Sequence, residues 1–127
     1  MKKVLESIEE TYDWYIITRT DLSIESFPEL NDLLSHKIYV SNVWANLQCL
    51  WQDNLYIVHS HHMHVFKTLY DNYDNLFNHR GELGKKLPSR LSVWQWHGEY
   101  IIPFQFVYHE ILDEITRITE LETTIIR

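Results

Sequence analysis

Across residues 43–76 the apolar side chains recur at the three- and four-residue intervals of an α-helix. The stripe runs Val43, Leu47, Leu50 or Trp51, Leu55, Val58, Val65, Leu69, Tyr73 and Leu76, with His62 as its one imidazole. No Gly or Pro interrupts residues 42–78, so the pattern predicts one long helix or two stacked ones. Val4, Leu5, Ile8, Tyr12 and Tyr15 repeat the spacing near the start, opposite Glu6, Glu9, Glu10 and Asp13. That predicts a first amphipathic helix fading near residues 18–21.

Ser26 and Glu29 form a capping pair around Pro28, which predicts a short helix with Leu30, Leu33 and Leu34 on its apolar face. Ile38, Tyr39 and Val40 are β-branched or aromatic and read as extended. A last helix is predicted from near Pro103, because Phe104, Tyr108, Ile111, Ile115, Ile118 and Ile125 form a narrow seam suited to a partner helix. Gly81, Gly84 and Pro88 mark residues 79–91 as the main connection. These elements predict an all-α fold, an antiparallel bundle of four to five helices in a single domain over residues 1–127.

Composition sharpens this picture. Hydrophobic residues make up 45% of the chain and aromatic residues 14%, enough for a real core, while three Gly and three Pro allow few forced turns. A net charge of -7 argues against a dedicated nucleic-acid binder. Cys49 is the only cysteine, so neither an internal disulfide nor a cysteine zinc site can form. Glu6, Glu9 and Glu10 break what would be a signal-peptide core, and no uncharged apolar run is long enough to span a bilayer. A cytoplasmic protein is expected.

The densest chemistry lies at His59, His61, His62 and His64. On a helix His59 shares a face with His62, and His61 with His64, so each pair offers two imidazoles to a transition metal, Fe or Zn. A third ligand must come from elsewhere, with His36, His79, His97, His109 and several carboxylates available. The competing reading is a hydrogen-bonded core His62 with solvated neighbours.

Phe66, Leu69, Tyr70, Tyr73, Leu76 and Phe77, preceded by Leu47, Gln48, Asp53, His62 and Met63, form a pattern that resembles the Dps group of the ferritin-like superfamily. The resemblance covers about the middle third of the chain. It implies four-helix subunits that assemble into hollow cages, oxidise and store iron, and often bind DNA. In it His62 takes the place of the first histidine ligand and Asp74 that of the aspartate, whereas Tyr70 stands where the family has its second histidine. No Asp-x-x-x-Glu pair follows, since residues 81–86 occupy that region. The resemblance therefore implies a metal-binding helical oligomer without a complete ferroxidase centre.

Arg80, Lys85, Lys86 and Arg90 form the one basic stretch, against Glu82, with Trp94 and Trp96 beside it. Arg80, Lys85, Lys86, Trp94 and Trp96 are candidate partner-binding residues, since tryptophan near Arg and Lys anchors many interfaces. Cys49 lacks a catalytic context, and the pairs Glu110 with Glu114 and Asp71 with Asp74 read as solvent-facing charges. The second functional expectation is thus a non-enzymatic acidic interaction protein, such as an immunity or inhibitor protein of a mobile element or phage that blocks a basic partner.

Overall fold

The computed structural model describes residues 4, 7, 11–41, 55–86, 101–118 and 122–125. Strands β1 (Trp14–Thr18), β2 (Leu22–Ser26), β3 (Ile38–Ser41) and β4 (Leu55–His59) come first. Helices α1 (Met63–Lys67), α2 (Tyr73–Asn78), α3 (Arg80–Lys85) and α4 (Ile101–Tyr108) follow, and then strands β5 (Ile115–Ile118) and β6 (Glu122–Ile125). Single 3-10 turns lie at Leu30–Asp32, Ser60–His62 and Leu112–Glu114.

Four strands form a sheet in the order β1-β4-β3-β5, and β2 pairs with β6 in a separate ribbon. β4 is antiparallel to β1 and β3, whereas β3 and β5 run parallel. The fold is mixed α/β, with helices packed on a sheet, and it overturns the expected all-α bundle. The longest described helix, α4, has eight residues. The helical bundle implied by the Dps resemblance is therefore not the architecture of this chain.

The long central helix fails at β4, for a physical reason. Tyr56 and Val58 belong to the larger core cluster under the helices, while Leu55 and Ile57 belong to a smaller cluster on the other face of the sheet. A strand buried on both faces shows a continuous apolar run instead of alternation. Such a run also satisfies helical spacing, so periodicity alone cannot separate the two. Helical period returns in α1 and α2, and Val65, Leu69 and Leu76 are buried as expected, but Tyr73 is exposed. Val43, Leu47, Cys49, Leu50 and Trp51 lie outside the described residues.

The first predicted helix is overturned where it reaches β1, since Tyr15 pairs with Val58 in the sheet. Tyr15 and Ile17 pack on the larger cluster, Trp14 packs on the smaller one, and Ile16 is exposed. Tyr12 and Asp13, just before β1, are not helical either and Tyr12 is exposed, and apart from Val4 and Ser7 the part of that helix before residue 11 lies outside the described residues. The capping pair at residues 26–29 yields only the Leu30–Asp32 turn, and Glu29 makes no side-chain cap there. β3 forms where its β-branched sequence predicts. Residues 80–85 are helical despite Gly81 and Gly84, so part of the expected connection is α3.

The last predicted helix stops far short of Ile125. Ile111 N–H donates to Phe106 O at 3.0 Å and Glu110 N–H to Val107 O at 3.1 Å, with Glu110 at φ 57°. This is a Schellman closure, and Ile111 packs back on the core, a contact that frequently accompanies such closures. Beyond it Ile115, Thr116, Arg117 and Ile118 pair with β3 as β5. A left-handed Glu is strained where Gly would not be. Glu110→Gly is expected to raise stability by about 0.5–1 kcal/mol, read as a higher denaturant midpoint at unchanged slope. An unchanged or lower midpoint would show that the turn carries no such strain.

Candidate functional site

Two features stand out above the sheet: an imidazole corner where β4 meets α1, and an aromatic strip along α2. At the corner, β4 ends in His59 and the chain turns through Ser60–His62 into α1. Ser60 N–H donates to Asp13 O at 2.9 Å, which ties this turn to the residue before β1.

Each histidine has its own partner. His59 Nδ1 accepts the backbone N–H of His61 at 3.3 Å, so the neutral ring carries its proton on Nε2. Its ring lies edge-on to Trp14 at 5.0 Å and beside His61 at 4.5 Å between centroids. His62 Nε2 donates to His36 O at 2.7 Å, joining the turn to the loop before β3. His64 Nδ1 donates to His61 O at 3.0 Å, which leaves the lone pair of the neutral ring on Nε2.

The partner of His64 comes from far along the chain. His109, at the C-terminal cap of α4, places its ring 5.3 Å from that of His64 at an interplanar angle of 80°. His109 Nε2 is buried and makes no hydrogen bond among the described residues. Burial, and secondarily the His64 ring, pushes the His109 imidazole below the ordinary histidine value.

The candidate ligands therefore separate into the pairs His59 with His61 and His64 with His109, while His62 is held by a backbone carbonyl. Among the described residues no three His, Cys, Asp or Glu side chains gather as a metal group. Asp74, the aspartate of the implied ferroxidase set, is exposed on α2. His109 was one of several distant histidines in the sequence, and nothing local to it signals His64. The Schellman closure of α4 sets that pairing.

The aromatic strip follows from helical spacing in and just before α2. Tyr70, Tyr73 and Phe77 recur at i, i+3 and i+7 and are all exposed. Tyr73 and Phe77 lie parallel, 6° between planes and 6.4 Å between centroids. Asp71 and Asp74 are exposed beside them. Arg80 sits with its guanidinium 4.2 Å from the Phe77 ring centre and donates to Phe77 O at 2.8 Å. Lys85 and Lys86 are exposed at the end of α3, and Trp94 and Trp96 lie outside the described residues. Leu76, on the opposite side of α2, is fully buried.

No protein-family model, curated protein or solved structure matches this chain. Among the described residues no helix is long and apolar enough to cross a membrane.

Proposed function

We propose that this chain is a non-enzymatic binding protein that engages a basic protein surface through the face carrying Tyr70, Tyr73 and Phe77. The observation that carries the reading is the parallel Tyr73–Phe77 stack, whose residues stay 43% and 45% exposed although Leu76 between them is fully buried. Exposed rings aligned on one helix face offer large contact area at small entropic cost, the composition of interface anchors. Asp71 and Asp74 flank the rings and bias the face toward cationic groups. The Arg80 guanidinium over Phe77 is an intramolecular example of the contact that a partner's arginine would make with Tyr73.

The test is affinity capture from its native host at low ionic strength, with light scattering on the eluted complex. Wild-type protein is expected to hold a basic partner in a discrete complex that added salt weakens. The Tyr73→Ala/Phe77→Ala variant, altered only at exposed positions, is expected to fold normally and lose on the order of a hundredfold in affinity. A captured partner that the variant holds equally well would remove the strip from the interface. A second copy of this chain in the eluted complex would make the face a homo-oligomer contact and overturn the heterologous reading.

A further inference from the structure

We infer that His64 and His109 form a two-imidazole site for a late divalent transition-metal ion, with Cu2+ and Zn2+ as its preferred occupants. This inference is independent of the aromatic strip. It rests on the separation of the two rings and on the hydrogen bonds that their nitrogens make or lack.

His64 has the arrangement of a metal-ligating histidine. Its Nδ1–H is anchored to His61 O at 3.0 Å, which orients the ring and leaves Nε2 with the lone pair. His109 is fixed from the other side, because the Schellman bonds at Glu110 and Ile111 define the turn on which it sits. Two imidazoles on one ion, each nitrogen about 2 Å from the metal at roughly tetrahedral angles, place their ring centres roughly 5 Å apart. The observed separation is 5.3 Å with the planes nearly perpendicular.

His109 Nε2 supplies the second reason. A buried nitrogen without a hydrogen bond among the described residues costs free energy that coordination would offset.

The site is not a closed structural centre, since no third ligand joins the pair among the described residues. Water fills the remaining positions of a bidentate site. Two nitrogen donors select late first-row ions by the Irving–Williams order, with Cu2+ bound more tightly than Zn2+. His59 is less suited to join, because its Nδ1 accepts the His61 N–H and its Nε2 carries the proton.

The experiment is titration of the full chain with Cu2+ and separately with Zn2+, followed by calorimetry and, for Cu2+, by electron paramagnetic resonance. Wild-type protein is expected to bind one ion with the hyperfine signature of two equatorial nitrogens. His64→Gln, at an exposed position, is expected to retain the fold and lose on the order of tenfold or more in affinity. His109→Gln is expected to lose as much, and His59→Gln/His61→Gln to bind as wild type does. Wild-type binding that His64→Gln leaves unchanged would overturn the inference. So would binding lost in the His59/His61 variant alone, or a Cu2+ spectrum without nitrogen coupling.

Discussion

Replacing Phe106 with alanine is expected to destabilise the protein by about 3–5 kcal/mol, the cost of truncating a buried aromatic ring. Phe106 is fully buried in α4 and meets Tyr56 at 6.2 Å and Phe66 at 6.0 Å, while Tyr56 and Phe66 approach to 5.3 Å. The three rings come from α4, β4 and α1. Their cluster is where the helical layer is joined to the sheet. Removing the central ring leaves a cavity lined by two other rings, which cannot collapse without moving β4 or α1. Urea denaturation followed by circular dichroism reads the change directly. A loss below about 1 kcal/mol would show that this interface is not the main core.

Gln105 is the second site of large effect. It is 1% exposed, the one buried polar side chain among the described residues. Its Nε2 donates to Val65 O at 2.7 Å and to Thr68 Oγ1 at 3.1 Å, and its Oε1 accepts from Asn72 Nδ2 at 3.0 Å. Val65 O lies in the last turn of α1, where carbonyls lack helical donors. The N–H of Leu69, four residues on, is given to Phe66 O. Gln105 therefore satisfies an end-of-helix carbonyl and fastens the α1–α2 link to α4.

Gln105→Leu keeps the volume roughly constant but strands Val65 O and the Asn72 amide. The expected cost is about 2–4 kcal/mol, since a buried group left unpaired costs about 1–3 kcal/mol and the half-buried Asn72 amide adds about 1 kcal/mol. Asn72→Ala, at a half-buried position, is expected to cost about 1 kcal/mol. Equal stability of wild type and Gln105→Leu would mean that water takes over both bonds.

The histidines show where a sequence reading stops. Four imidazoles within six positions are visible at once, and helical spacing pairs His59 with His62 and His61 with His64. The chain is a strand end and a 3-10 turn there, so the pairs formed are different ones. His59 meets His61, and His64 meets His109 from α4. A contact between residues so far apart depends on how α4 ends, and no Gly marks that end, because Glu110 occupies the left-handed position.

The same limit explains α4. Ile102, Phe104, Gln105, Phe106 and Val107 are all buried, while Tyr108 is exposed. A helix enclosed on nearly all sides has no polar stripe to mark its core face. The seam of Phe104, Tyr108, Ile111 and Ile115 therefore joins residues of a helix, a turn and a strand.

The sequence by itself determined the local matters: an apolar and aromatic fraction sufficient for a core, a single cysteine, the extended β3, the buried Val65, Leu69 and Leu76, and the local density of imidazole. Each depends on residue type or on neighbours within one or two turns. Tertiary structure decided that residues 55–58 form a central strand, that Glu110 ends α4, and that Gln105 and His109 face α1. Those outcomes depend on contacts between segments dozens of residues apart, such as Phe106 of α4 on Tyr56 of β4 and His109 on His64.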